Sequence, residues 1–388
     1  MAVSSDMLLP EIAAGAARKG VKIVATGDCL HPLWLDAIRK LPESDGTYTL
    51  DDTHFVLSVE VEDKKRVHHL IFLPDLSKAQ ELQESFASHC KDLSADGRPR
   101  LHLNGSEIAD HVFEADGLIG PAHAFTPWTG MYAYYDSLAE CYQEKADKIC
   151  FIELGLSADT DYADRIAELS TRTFLSNSDA HSPRSNKLAR EFNRMQLQDF
   201  SFKEICLALR REGGRSTRLN VGFFPAEGKY NHTACTRCYR QYSLTEKDEL
   251  MGRCPACGGR IKLGVMDRIN LLADYEVSVH PAHRPPYMHI IPLAEIIALA
   301  LGYKSVTAAA VQRCWSDLTL NRTEIEILVE SDLSNLSADP RVLEAIQNFR
   351  SGRVDVIAGG GGKYGEVKLH GQAEGAEKRK GQRSLFDF

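Results

Sequence analysis

A chain of 388 residues with 43% hydrophobic and 26% charged side chains has an ordinary globular composition and room for more than one domain. No apolar run approaches the roughly 20 residues of a membrane span, and the N-terminus lacks the charged, apolar and cleavage regions of a secretory signal. The expectation is a protein with no membrane partner. The net charge of −8 is uneven: residues 1–200 carry 20 Lys and Arg against 32 Asp and Glu, and residues 201–388 carry 26 against 22. An acidic first half suits a carboxylate-lined cation site, while the mildly basic second half is compatible with a polyanion. Ten cysteines, scattered except for four at fixed spacing, argue for a reducing cytoplasm rather than a disulfide framework.

In chain order, Leu8–Lys19 has helical spacing and Gly20 stops it. Val21–Thr26 reads as a buried strand that ends in Gly27-Asp28-Cys29-Leu30-His31-Pro32, and Trp34–Lys40 resumes as helix. Phe55–Glu62 and Arg66–Leu73 are strand-like runs joined by a charged turn, carrying Glu60 and the pair His68-His69. Adjacent strand residues face opposite sides, so only one of that pair points to the face Glu60 occupies. Leu76–Cys90 is helical. Leu118–Ala122 ends at His123, Ile149–Leu154 carries Glu153, and Phe174–His181 breaks into Asp179 and His181.

Taken singly, each of these residues has a common structural use, as a buried hydrogen-bonded histidine or a helix cap. Their recurrence at strand exits, with helices between, argues for an α/β barrel or doubly wound sheet with one active face. Mixed imidazole and carboxylate donors suit Zn²⁺, Mn²⁺ or Fe²⁺ better than Ca²⁺. More than four candidates point to a cluster of two or three ions, the arrangement that hydrolyses phosphate esters.

Asn220–Tyr230 reads as a linker. Cys235-Thr-Arg-Cys238 and Cys254-Pro-Ala-Cys257 follow, a paired-knuckle spacing that brings four thiolates around one structural Zn²⁺. Arg237, Arg240, Arg253, Arg260 and Lys262 flank the knuckles, as phosphate contacts or as a solvated face. Met266–Phe349 is mostly helical, with Leu293–Leu301 and Val342–Phe349 the clearest amphipathic segments and Pro340 at a helix start. Gly359–Gly362 is a flexible interruption. Residues 371–388 are expected to be disordered up to Gln382-Arg-Ser-Leu385-Phe386-Asp-Phe388, which is similar to peptides that dock on replication sliding clamps.

The series Asp28/His31, Glu60 with His69, His123, Glu153 and Asp179/His181 resembles the PHP superfamily (polymerase and histidinol phosphatase) and, with the segments after it, the endonuclease Q family. The resemblance implies a distorted (β/α)₇ barrel over 1–222, a four-cysteine zinc ribbon over 223–265, a mostly helical DNA-binding domain over 266–370 and a clamp-binding tail. It implies a metal-dependent repair endonuclease that nicks DNA 5′ to deaminated bases (uracil, hypoxanthine, xanthine) and abasic sites. Its catalytic residues would be Asp28, His31, Glu60, His123, Asp179 and His181. Its metal ligands would be those six with His69 and Glu153, holding a di- or trinuclear cluster of Zn²⁺, Mn²⁺ or Mg²⁺. The family's first strand carries His-x-His, and none occurs here. Two readings stay open: a start placed too far downstream, which the intact later positions favour, or a chain that has lost the motif. The rival functions are a phosphatase of small phosphate esters and a non-catalytic, clamp-associated DNA adaptor.

Overall fold

The spine of the protein is the ten-residue strand Thr53–Glu62. In the computed structural model, which describes residues 4–91, 93–95 and 97–369, this strand is paired along its whole length. Its first half takes Ile23–Ala25 in parallel on one side and Thr47–Leu50 antiparallel on the other. Its second half pairs antiparallel with His68–Leu73, which continues to Leu118–Pro121. A parallel pair follows, Phe151–Glu153 with Thr173–Leu175, and then Ser216–Gly222 between Phe192–Gln196 and Tyr287–His289. The barrel wall is thus a curled, mixed series of short sheets, and its distortion lies in the antiparallel hairpins at its centre.

The burial pattern explains why these strands hold. Phe55, Leu57, Val59 and Val61 are fully buried and alternate with Ser58, Glu60 and Glu62 on the other face. That alternation leaves the acids pointing into the barrel mouth. Leu9–Lys19 packs Leu9, Ile12 and Ala13 onto this core and ends at Gly20 with φ +91°.

A second core joins Val221 and Phe223 to the helices Leu293–Leu301, Ala309–Leu318 and Pro340–Arg350. Two sequence expectations need correction here. Leu293–Leu301 is not amphipathic but a central helix buried on nearly all sides, because neighbouring helices cover both of its faces. The segment starting at Asn220 is not a linker at its outset: Asn220 is fully buried in the strand Ser216–Gly222, and its Nδ2 donates to the Phe174 carbonyl at 3.0 Å. The ribbon has its own small core of Tyr242, Ile261, Cys235 and Cys254, with Cys257 packed against it. Among the described residues, no helix is long and apolar enough to cross a membrane. Gln382, Leu385, Phe386 and Phe388 lie outside the described residues.

Candidate metal centre and active site

Glu60, His68 and His123 converge at one end of the barrel, each offering a ligand atom within 4.8 Å of the others. His68 Nδ1 lies 2.9 Å from Glu60 Oε1 and 3.1 Å from His123 Nε2, and His123 Nε2 lies 3.4 Å from Glu60 Oε2. Tetrahedral bonds of 2.0–2.1 Å separate neighbouring donors by about 3.3 Å, so the triad has the spacing of a metal's ligand set. Two ring nitrogens facing each other cannot both carry a proton toward the other, whereas both can donate lone pairs to a cation. The residues present therefore fit a metal.

The electrostatics agree. Burial pushes the Glu60 carboxyl up, but the two imidazoles outweigh it and hold Glu60 well below its usual range. Burial disfavours the charged His123 ring, yet its bonds to Glu60 raise it to about 9. Without a cation, Glu60 thus favours a proton on His123.

The strand register settles which histidine belongs. Glu62 stands directly opposite His68, and Val61 opposite His69, so His68 shares the face of Glu60 and Glu62. His68 Nε2 also lies 3.3 Å from Glu62 Oε2. His69, which the sequence reading placed in the cluster, faces the other way. It is fully buried, with Nδ1 2.7 Å from the Tyr142 hydroxyl and Nε2 3.6 Å from Asp63.

The other expected ligands lie around this triad rather than in it. Glu153 is buried with both oxygens engaged: Oε2 accepts from the His123 backbone amide and Oε1 from Asn177 Nδ2, each at 2.7 Å. Burial raises its carboxyl to about 7. It shapes the His123 turn, where His123 takes φ +28° and Gly155, at φ +69°, leaves no room for a side chain. His31 is buried, and its Nε2–H donates to the Ser94 carbonyl at 2.8 Å. Asp28 abuts Gly97, where a Cβ would come within 2.1 Å of its carboxylate. Asp179, at φ +42°, and His181 are exposed and paired at 3.2 Å. Against partial burial, that imidazole holds the Asp179 carboxyl below its ordinary value.

Asp28, Glu60, Glu153, Asp179 and His181 all line one cavity of about 850 Å³. Arg98, which sequence reasoning missed, reaches into the same mouth with Nη1 2.8 Å from Glu60 Oε1. Glu62 was missed too, although its spacing of two from Glu60 puts it on the same face.

In the ribbon, the Sγ atoms of Cys235 and Cys257 stand 3.4 Å apart, and those of Cys238 and Cys254 3.6 Å. These gaps are far beyond a disulfide bond and near the ~3.8 Å expected for thiolates around Zn²⁺. Tyr242 donates its hydroxyl to Cys254 Sγ at 3.0 Å and lowers that thiol to about 6, favouring the ligating thiolate.

Comparison with solved structures is decisive. The novel lesion-specific endonuclease PfuEndoQ from Pyrococcus furiosus superposes with a TM-score of 0.90 and 46% identity, covering 95% of this chain and 92% of that one. The chain belongs to the endonuclease Q family. Endonuclease Q in complex with a 27-mer duplex substrate, which has an abasic lesion at its active site, gives a TM-score of 0.89 and 45% identity over 95% and 93%. Among full-length sequences, the uncharacterized protein YqxK of Bacillus subtilis is 32% identical over 372 residues, 90% of this chain and 89% of its own length. The uncharacterized protein MJ0043 of Methanocaldococcus jannaschii is 42% identical over 257 residues, 64% of this chain but only 32% of MJ0043. The family model described as MJ0043 C-terminal domain matches residues 292–353, the buried helical core of this endonuclease Q relative.

Proposed function

We propose that the protein is a metal-dependent DNA repair endonuclease that nicks the phosphodiester 5′ to deaminated bases (uracil, hypoxanthine, xanthine) and abasic sites. The observation that carries this reading is the Glu60–His68–His123 triad at the mouth of an acid-lined cavity, in a chain so similar to endonuclease Q. Bound divalent cations supply polarisation of the scissile P–O bonds and an activated water. The chain's own residues do the remainder. Glu60, His68 and His123 hold the first ion. Asp28, Asp179 and His181 on the same cavity wall complete a di- or trinuclear set with Zn²⁺, Mn²⁺ or Mg²⁺. Asp179, turned to solvent, is placed to accept a proton from the attacking water. Arg98 offers its guanidinium to a phosphate oxygen. Lesions are favoured because a mispaired or missing base costs less to extrude from the stack.

The apolar inner wall of the cavity, formed by Ile23, Val24, Val56, Phe72, Leu175 and Met195, lies beside a strand Ile23–Ala25 that pairs on one edge only among the described residues. This supports a barrel over 1–222 whose apolar inner wall lines the cavity. The ribbon over 223–265 is read as structural, the unit 266–370 as DNA-binding, and the tail 371–388 as a sliding-clamp ligand through Gln382, Leu385, Phe386 and Phe388. The four knuckle cysteines stand at metal-ligand spacing rather than in disulfides, which supports a cytoplasmic setting.

The test is a labelled duplex holding one uracil or abasic site, incubated with protein and Mg²⁺ or Mn²⁺. The reading expects a nick on the 5′ side of the lesion that disappears in Asp179→Ala. Equal cutting of undamaged duplex would refute lesion specificity.

A further inference from the structure

We infer that the junction between the His123 loop, the zinc ribbon and the glycine run is a stacking seat for unpaired nucleotides flanking the lesion. The inference rests on the nuclease reading for its location but on separate residues for its chemistry.

The loop leaving the metal triad is fixed to it at two points. The Thr126 amide donates to the His123 carbonyl, and the His68 amide donates to the Thr129 carbonyl, each at 2.9 Å. Trp128 is held between them, one residue from a direct bond to the triad's strand, yet its side chain remains 39% exposed. The Lys262 ammonium of the ribbon stands 3.6 Å from the Trp128 ring centroid and also donates to the Pro127 carbonyl at 3.3 Å. Tyr230 meets Trp128 edge-on at 5.9 Å. Tyr134, itself exposed, donates its hydroxyl to the Trp128 carbonyl at 2.9 Å.

The surface continues onto the C-terminal unit. Lys229 lies 5.6 Å from the Tyr230 ring and 5.5 Å from that of Tyr364. Its carbonyl accepts from the Gly362 amide at 2.8 Å, which pins the glycine run against this patch. Glycine is required there: a Cβ on Gly361 would come within 2.3 Å of the Cys235 carbonyl oxygen, and Gly362 has φ +108°. The Tyr239 ring, 46% exposed, borders the same glycine.

Five aromatic rings and two lysines, drawn from three separate parts of the chain, thus share one surface beside the metal triad. Burying a core does not explain them, because Trp128, Tyr134 and Tyr239 stay in water. A protein interface would also enrich tyrosine and tryptophan but would deplete lysine, whereas here two ammonium groups sit among the rings. Rings alternating with ammonium groups match a nucleic-acid strand, whose bases offer faces to stack and whose phosphates offer negative charge. A regular duplex hides those faces. The nucleotides that fit are the ones unstacked around an extruded or missing base.

The test uses full-length protein with its zinc retained and no added divalent cation, so that binding is read without cleavage. Anisotropy is measured on labelled single-stranded DNA, on a duplex with one abasic site and on intact duplex, at several salt concentrations. Trp128→Ala and Tyr239→Ala are expected to weaken single-stranded and abasic binding on the order of tenfold and intact-duplex binding far less. Lys229→Gln and Lys262→Gln are each expected to lower the slope of log K against log salt by about 0.7–0.9. Tyr239→Ala and Lys229→Gln alter exposed side chains, so they test the seat even where Trp128→Ala loosens the ribbon. Unchanged affinities and slopes in these two variants overturn the seat, and so does an equal loss on intact duplex. Failure of the nuclease reading shows separately, as absence of nicking by the unaltered protein with metal added.

Discussion

Gly155→Ala is a small perturbation with a large expected consequence. A Cβ at this position would stand 2.5 Å from His123 Cβ, whereas ordinary contacts begin near 3.4 Å, so the two must part by about 0.9 Å. The backbone cannot easily rotate away, since φ at Gly155 is +69° and an alanine held there costs about 1–2 kcal/mol. His123 is itself constrained, at φ +28° and bound through its amide to Glu153, so the displacement passes to the imidazole that faces Glu60 and His68. A misplacement of about 1 Å in a catalytic constellation lowers turnover on the order of 100-fold. A cost of this size lowers the melting temperature of a domain this large by about 2–8 °C. Steady-state nicking and thermal unfolding, run on the same preparation, measure both. An alanine variant that cuts lesion DNA at the unaltered rate would show that His123 does not need its observed position.

Further outcomes follow from the same geometry. His68→Ala should abolish high-affinity Mn²⁺ binding by calorimetry, whereas His69→Ala should keep it and lose stability by on the order of 2–3 kcal/mol, leaving buried Tyr142 and Asp63 without their partner. Glu191 is buried with only one oxygen bonded, by the Phe223 amide, and burial raises its carboxyl to about 8. The unfolded chain releases that proton near pH 4.5 and the folded one near 8, so stability should fall as pH rises through this window. Glu191→Gln should flatten the fall, adding on the order of 4 kcal/mol at pH 8 and little at pH 4.5 in urea titrations. A parallel pH profile for both proteins would contradict this. Cys254→Ser should reduce zinc by one ion per chain in elemental analysis and expose the ribbon to protease, with the barrel's melting little changed.

The sequence revealed the parts of the barrel whose periodicity is strong and hid those set by register. Alternation over residues 57–62 made Glu60 legible, and only one of His68 and His69 can share its face. The choice between them depended on which residue stands across from Glu62, and pairing register leaves no mark in either strand alone. Family analogy chose His69, and the ladder placed His68 in the triad. Glu153 illustrates another limit: a carboxylate at a strand exit does not reveal from sequence that its oxygens accept from the His123 backbone amide and the Asn177 side-chain amide. Arg98 was invisible because its partner, Glu60, lies 38 residues away and on the far side of a loop. The spacing of the four knuckle cysteines, by contrast, encodes its own geometry and needed no tertiary information. Asn220 was misjudged as linker because its neighbouring Gly and Pro suggest a turn, while its burial is imposed by Phe174 and Asn193 from other strands.

The central claim is that Glu60, His68 and His123 hold a divalent cation at the barrel mouth. Anomalous diffraction from crystals soaked in Mn²⁺, collected above and below the manganese edge, tests it most directly. The account predicts a manganese peak within about 2.3 Å of Glu60, His68 Nδ1 and His123 Nε2, in addition to zinc at the four cysteines. Crystals with metal only in the ribbon, and with the two imidazoles still bonded to Glu60, would contradict it.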